Sequence, residues 1–293
     1  MRNGKVVYAA PMANTIDFLP YHLPFWYNLV DRIILTEGVI RFCWDMGTED
    51  GLSTDGSTEF IRNFPDPENK ITYIPIGRCD LMCDLRNPYL ALIEPGDIFL
   101  ALDLDEIMLP EDVGASVRFL RGHPEYNAVS CEQVMFWGDL CHYITDPSIV
   151  ERIFRREADW RYDESRRVIG DGFVGTEMRI GQLPEHPKML HFGWVRRPRR
   201  RFQKAMFTYR WYQGLHSADN AHLVGLTEAD LQWEILLNHP AFNPAKTADH
   251  WPVAEYPGPW PEPYRNHPFL LHPELLQDEA EIQELEQELL GCA

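Results

Sequence analysis

The stretch GDIFLALDLDEI, residues 96–107, decides the fold class of this chain. Residues 98–102 are continuously apolar, as expected of a central parallel strand that is buried on both faces. Three carboxylates follow at Asp103, Asp105 and Glu106. In an open α/β sheet, ligands bind at the carboxyl ends of the strands. The sequence therefore predicts a ligand site directly after this strand.

Strand and helix patterns alternate on the N-terminal side of this stretch. Short apolar runs predict further strands at residues 6–10, 32–36 and 71–76. Helices are predicted between them at residues 18–30, 57–64 and 81–93. Strands that alternate with helices indicate an α/β fold with a mostly parallel sheet flanked by helices.

The chain after residue 215 has a different composition. Residues 239–273 are rich in proline, and residues 274–290 predict an acidic helix with one apolar stripe. We therefore predict a main domain at residues 1–215 and a Pro-rich, helical C-terminal extension at 216–293 that packs on it. The terminal helix would pack on the domain or form a homodimer contact.

Charge is distributed unevenly along the sequence. The formal net charge is −18, yet residues 151–213 hold 15 of the 27 Lys and Arg and only 8 of the 45 Asp and Glu. The overall negative charge argues against non-specific binding to nucleic acid or membrane surfaces. The sequence has no apolar run near the length of a membrane span, no signal-peptide core and no C-x-x-C pair among its six cysteines. We predict a cytoplasmic protein with reduced thiols and no transmembrane segment.

The spacing of the carboxylates suggests a metal. Asp103 and Asp105 are two residues apart, so on an extended backbone they would point to the same side. Like charges held close together need a compensating cation or protons. A hard divalent ion that bridges them to a diphosphate would meet this need, because Mg²⁺ and Mn²⁺ prefer oxygen ligands. The alternative is a polar strand end followed by a helix cap.

In this context the chain resembles the GT-A glycosyltransferases, especially the family-two-like group with a D-x-D-E element. The closest match is GDIFLALDLDEIMLPED at residues 96–112. Other elements match in the family's order: APMANT at 10–15, TEG at 36–38, TDGSTE at 54–59, DLRN at 84–87 and LHFGWVR at 190–196. The resemblance covers about residues 5–210. It implies a Rossmann-like GT-A catalytic domain, with a nucleotide-binding half at about 1–110 and an acceptor half at about 111–215.

The resemblance also implies the chemistry and the residues that perform it. The expected reaction is metal-dependent transfer of a sugar from a nucleotide-sugar, with a UDP-sugar as the expected donor, to an acceptor hydroxyl. The implied ligands of Mn²⁺ or Mg²⁺ are Asp103, Asp105 and His191. The implied donor-binding residues are Ala10, Pro11, Asn14, Glu37, Arg86, Asp103 and Lys204.

A general base is needed only if the enzyme inverts the anomeric centre. Such an enzyme uses a carboxylate to deprotonate the acceptor hydroxyl. The candidates are Asp171, Glu177 and Asp139, and we prefer Asp171 because its flanking glycines would let the backbone approach a ligand closely. A retaining enzyme need not use such a base, and the sequence leaves the stereochemistry open.

The segment RRPRRRFQK, residues 196–204, carries six cations in nine residues and is followed by several aromatic residues. Cations interleaved with aromatic rings can track phosphates and stack on bases. The segment would be a clamp for the donor diphosphate, a site for an anionic acceptor, or a solvated face paired with the acidic remainder of the chain. An anionic acceptor would be an acidic glycan, a lipid-linked phosphate or DNA with hydroxymethylated bases. The alternative functions are a DNA-modifying glycosyltransferase and a non-catalytic module that binds nucleotide-sugars or nucleic acid.

Overall fold

The computed structural model describes residues 4–163, 168–169, 178–215, 226–239 and 252–291. The strands are β1 Val6–Met12, β2 Arg32–Ile40, β3 Ile71–Cys79, β4 Ile98–Leu100, β5 Glu106–Met108, β6 Ala128–Met135, β7 His142–Ile144, β8 Ser148–Arg155, β9 Arg161–Tyr162, β10 Val168–Ile169, β11 Ile180–Gly181, β12 Lys188–His191 and β13 Val253–Glu255. The α-helices are α1 Leu19–Leu29, α2 Ser57–Asn63, α3 Met82–Leu90, α4 Pro110–Gly122, α5 Pro198–Leu215, α6 Glu228–Asn238, α7 Pro268–Leu271 and α8 Glu279–Gly291. None of these helices is both long enough and apolar enough to cross a membrane.

The largest sheet in the described residues has nine strands. Its order is β3-β2-β1-β4-β8-β6-β12-β5, with β11 paired to β6. β1 runs parallel to β2 and β4, and β2 runs parallel to β3. β8 is antiparallel to both of its neighbours, β4 and β6. The predicted α/β class with a mostly parallel, Rossmann-like sheet is therefore confirmed, while the finer GT-A assignment stays a prediction.

The middle of the sheet is buried on both faces. Val7 and Ala9 of β1 belong to one hydrophobic cluster, which also contains Phe99 of β4. Tyr8, between them, is fully buried and its ring stacks on Trp26 of α1 with the centroids 4.8 Å apart. Because successive strand residues point to opposite faces, β1 joins helices on both sides of the sheet.

The backbone after β4 differs from the sequence-based expectation. The strand ends at Leu100, and the N–H of Glu106 donates to the carbonyl of Asp103 at 2.9 Å. This bond closes a turn over residues 103–106, which we call the acidic turn. The prediction that Asp103 and Asp105 lie on an extended backbone is therefore wrong, because the turn breaks the two-residue alternation.

The chain divides into two compact units. The first contains Met1–Gln133 and Ser148–Leu190, and the second contains Val134–Pro147 and His191–Ala293. Within the second unit, α5 contacts α6 and α8. The domain boundary predicted at residue 215 stays a prediction. Leu285 of α8 is buried, as expected of a terminal helix that packs on its own chain. A homodimer contact through this helix stays a prediction.

His239, in the second unit, makes stability depend on pH. Burial, aided by the charge of Arg201, lowers the pKa of His239 from 6.5 to about 4. A depressed folded-state pKa gives stability that is present above pH 6.5 and is lost as the pH falls toward 4. Between about pH 7 and pH 5, this group should lower the free energy of unfolding by about 2 kcal/mol. Urea denaturation should show a shallower decline in His239→Phe, and equal declines in the two proteins would contradict the expectation.

Candidate functional site

The acidic turn lies in the first unit, at the carboxyl end of β4. Besides the bond that closes it, the N–H of Asp103 donates to Glu106 Oε2 at 3.0 Å. The Asp103 side chain is 33% exposed, whereas Asp105 and Glu106 are buried. Asp103 is therefore the carboxylate of the turn that a ligand reaches most readily.

Arg86 of α3 neutralises the negative charge of Asp103. Its Nη2 lies 2.6 Å from Asp103 Oδ1, and its Nη1 donates to the hydroxyl of Tyr89 at 3.4 Å. The guanidinium also lies over the ring of Tyr162, 5.5 Å from the centroid. Burial disfavours the charged form, but Asp103 and neighbouring groups raise the pKa of Arg86 above its usual value. Arg86 Nε is buried and has no hydrogen-bond partner among the described residues.

Arg152 of β8 compensates Glu106. Its Nε lies 2.9 Å from Glu106 Oε2, and its Nη2 lies 2.9 Å from Oε1, so the contact is bidentate. Burial opposes the charge of Arg152, but Glu106 raises its pKa above the ordinary value. The sequence analysis missed Arg152. Arg152 reaches the acidic turn because β8 pairs with β4, and the N–H of Ala101 donates to the carbonyl of Arg152 at 2.8 Å. This strand pairing has no local signature in the sequence.

Tyr8 is a second residue that the sequence analysis missed. Its hydroxyl is buried and has no hydrogen-bond partner among the described residues. Burial, followed by the charges of Asp103, Glu106 and Asp105, raises the pKa of Tyr8 well above its ordinary value. A neutral hydroxyl thus lies in the electrostatic field of all three carboxylates of the acidic turn.

The structure encloses Glu37 completely. Its Oε1 accepts hydrogen bonds from the N–H of Ser53 at 2.8 Å and from the hydroxyl of Thr58 at 2.6 Å, and its Oε2 accepts one from the hydroxyl of Tyr73. With no exposed surface, Glu37 ties the segment before α2 to β2 and β3. The predicted nucleotide contact stays a prediction, and it would require the surrounding residues to move, because Glu37 has no exposed surface.

Asn14 joins the end of β1 to the segment TDGSTE. Its backbone N–H donates to the Ser53 hydroxyl at 3.0 Å, and its Oδ1 accepts from the N–H of Thr54 at 2.8 Å. Ala10 is fully buried in β1, while Pro11 and Asn14 are half-buried. These contacts explain why the two segments lie together. The nucleoside contacts predicted for Ala10, Pro11 and Asn14 stay predictions.

His191 and Lys204 belong to the second unit, where both lie next to Gly193. A Cβ at Gly193 would be 2.7 Å from His191 Nε2 and 3.3 Å from Lys204 Nζ. The structure therefore brings these two predicted residues together. Their roles toward a metal and a phosphate stay predictions. Within the described residues, no group of three or more His, Cys, Asp or Glu could hold a metal ion by itself.

Several cations of the basic segment have partners within the second unit. Arg199 contacts Glu288 of α8 through two bonds of 3.0 and 2.7 Å. Arg201 is buried and donates to the carbonyl of Leu276, and burial lowers its pKa to about 10. Arg196 donates to a backbone carbonyl at 3.0 Å. The Arg199 contact supports the pairing of this segment with the acidic remainder of the chain, whereas Arg196 and Arg201 bond to backbone carbonyls. The role of the segment as an acceptor site stays a prediction.

Of the three candidate bases, only Asp139 lies among the residues that the structure describes. Asp139 accepts hydrogen bonds from the N–H groups of Cys141 at 2.7 Å and His142 at 2.8 Å, and it lies 2.8 Å from His142 Nδ1. These contacts make it the cap of a turn before β7, and its role as a base stays a prediction. Asp171 and Glu177 lie outside the described residues.

Comparison with known proteins gives only distant likenesses. No family model and no curated protein matches the chain. Among solved structures, the chain is similar to the crystal structure of S. aureus TarS 1-349, with a TM-score of 0.40 and 13% identity over 83% of this chain and 82% of that chain. It is also similar to mannose-6-phosphate isomerase from Helicobacter pylori, with a TM-score of 0.30 and 8% identity over 53% of this chain and 61% of that chain. Likenesses this distant assign no activity to the chain.

Proposed function

We propose that this protein is a metal-dependent glycosyltransferase that moves a sugar from a nucleotide-sugar, with a UDP-sugar as the expected donor, to an acceptor hydroxyl. The observation that supports the proposal is the acidic turn at the carboxyl end of β4. Strands β1, β2 and β4 are parallel, and ligands bind at the carboxyl ends of such strands. One half-buried and two buried carboxylates meet there.

The acidic turn suits an ion that is held jointly by protein and substrate. Mg²⁺ commonly uses one or two carboxylates together with substrate phosphates, instead of a complete set of protein ligands. Asp103 offers an accessible carboxylate oxygen, and Asp105 is the second carboxylate of the turn. His191, in the second unit, is kept as the further predicted ligand. All of these are ligand types that Mn²⁺ and Mg²⁺ accept.

Each residue of the turn has a distinct task in this proposal. When bound, the ion would supply Lewis-acid stabilisation of the negative charge that develops on the leaving diphosphate. Asp103 would orient the diphosphate through that ion, and Arg86 would offer N–H donors to a phosphate oxygen. Glu106 and Arg152 would fix the shape of the turn through their bidentate contact. Lys204, in the second unit, is the further predicted phosphate contact.

The class of the acceptor depends on the basic segment. Because Arg196, Arg199 and Arg201 are engaged within the second unit, an anionic acceptor would contact mainly Arg197 and the outer face of this segment. Arg197 is exposed, whereas Arg200 is half-buried. A glycan, a lipid-linked phosphate and DNA with hydroxymethylated bases all remain acceptors within the same proposal.

A thermal-shift series with UDP, UDP-sugars and other nucleoside diphosphate sugars tests the proposal. A ligand at about 100 times its Kd stabilises the folded state by about 2.7 kcal/mol, which raises Tm by several degrees. We expect such a rise for at least one nucleotide-sugar in the presence of Mn²⁺ and a smaller rise when EDTA replaces the ion. Release of the free nucleoside diphosphate should accompany it. If no nucleotide-sugar shifts Tm with Mn²⁺ present, the proposal is wrong.

A further inference from the structure

Arg86 and Asp103 form an ion pair in which the arginine is buried and the carboxylate is accessible to solvent. The Arg86 side chain is 8% exposed, and that of Asp103 is 33% exposed. The two charged atoms are 2.6 Å apart, which is short for a contact between a guanidinium and a carboxylate. The one accessible carboxylate of the acidic turn is thus already neutralised by a buried cation.

Arg152 and Glu106 provide the contrast. Their contact is bidentate, and the Glu106 side chain is only 2% exposed, so a ligand has no access to that carboxylate. The turn therefore contains one ion pair whose carboxylate is buried and one whose carboxylate faces solvent, although the Arg152 side chain of the first pair is 27% exposed. Only in the second pair can the carboxylate take a new partner when a ligand binds.

We propose that Arg86 is a positioning residue that suppresses binding of a divalent ion to Asp103 until a nucleoside diphosphate accepts its guanidinium. The inference rests on the proposed function. An ion that approaches Asp103 alone would meet the positive charge of Arg86, and the two cations would compete for one carboxylate. A diphosphate brings negative charge that attracts Arg86 and leaves Asp103 available to the ion.

The hydrogen bonding of Arg86 supports this exchange. Its Nε is a buried donor without an acceptor among the described residues, and an unmade hydrogen bond of a buried group is costly. Its Nη1 bond to Tyr89, at 3.4 Å, is long. The guanidinium therefore has donor capacity that Asp103 alone does not satisfy, and phosphate oxygens would satisfy it.

Binding of Mn²⁺ measured by electron paramagnetic resonance, with and without UDP, tests the inference. Coupling between two ligands is reciprocal and typically amounts to about 5- to 150-fold. Part of the coupling here would come from direct contact between ion and phosphate, so a variant must isolate the part due to Arg86. In Arg86→Met, Mn²⁺ alone should bind about tenfold more tightly than in the wild type. UDP should then strengthen Mn²⁺ binding by a smaller factor than it does in the wild type.

Arg118→Met is the matched control, because it removes one positive charge from an exposed position of α4, in the same unit, without releasing Asp103. The factor by which UDP strengthens Mn²⁺ binding should stay at its wild-type value in this variant. If Arg86→Met binds Mn²⁺ alone no more tightly than the wild type, while the wild type still binds UDP with Mn²⁺, the inference is overturned and the proposed function stands. If the wild type binds neither UDP nor any other nucleoside diphosphate with Mn²⁺, both are overturned.

A measurement on the wild type tests the inference even if the Arg86 variants do not fold. The NMR signal of the Arg86 Nε–H should move when UDP is added and should stay in place when Mg²⁺ alone is added at the same concentration. An equal movement with Mg²⁺ alone would overturn the inference, because Arg86 would then respond to the ion without a diphosphate. Arg86→Lys, which keeps the charge but loses the planar set of donors, should give an Mn²⁺ affinity between those of Arg86→Met and the wild type.

Discussion

Asp103→Asn is expected to lower Mn²⁺-dependent turnover of the nucleotide-sugar by about 100-fold or more, with the fold intact. Asp103, the most accessible carboxylate of the acidic turn, is the ligand through which the ion would be held. The asparagine amide is a far weaker ligand for a hard cation than a carboxylate is. A loss of two decades corresponds to about 2.7 kcal/mol of transition-state stabilisation. Release of the nucleoside diphosphate, measured over a range of Mn²⁺ concentrations, reports the effect.

The fold should tolerate this change because asparagine keeps an oxygen for Arg86. The amide oxygen of the new side chain would still accept the Nη2 bond, but the buried guanidinium of Arg86 would lose its countercharge, so the free energy of unfolding should fall by about 3 kcal/mol. Glu94→Gln is the matched control, since it neutralises an exposed carboxylate shortly before β4 and should leave turnover unchanged. If Asp103→Asn kept more than half of the wild-type turnover with the same Mn²⁺ dependence, the role of Asp103 in metal binding would be refuted.

The position of the acidic turn could be predicted from the sequence, but its shape could not. The apolar run before Asp103 is a local pattern, and carboxylates after such a run belong at the end of a buried strand. The turn itself depends on Glu106, which is held by Arg152 from a strand 46 residues farther along the chain. A contact of that separation leaves no periodic or local signal, so the extended backbone was the expected but wrong outcome.

The surroundings of Glu37 could not be predicted from the sequence either. A carboxylate at the end of a parallel strand looks like a ligand for a ribose, yet its three donors come from β3, α2 and the segment before α2. The cap of α6 at Thr227, by contrast, is a local interaction. Its hydroxyl accepts from the N–H of Asp230 three residues later, and such a local interaction can be recognised in the sequence.

Glu106→Gln is expected to lower the free energy of unfolding by about 3 kcal/mol. Glu106 is 1% exposed and neutralises Arg152 through two hydrogen bonds. Glutamine has nearly the same shape and keeps an oxygen for the N–H of Asp103. It removes the charge, however, and leaves the half-buried Arg152 guanidinium without its countercharge. Urea denaturation followed by circular dichroism measures the change.

The double variant Glu106→Gln with Arg152→Met separates the loss of the ion pair from the cost of an unpaired charge. Replacing a buried pair by neutral groups costs much less than removing one partner. We therefore expect the double variant to be more stable than Glu106→Gln alone, with a coupling energy of about 1–3 kcal/mol. Additive effects of the two changes would show that the pair does not act as a unit. Asp103 would then owe its position to the bonds within the turn, because Arg152 reaches Asp103 only through Glu106.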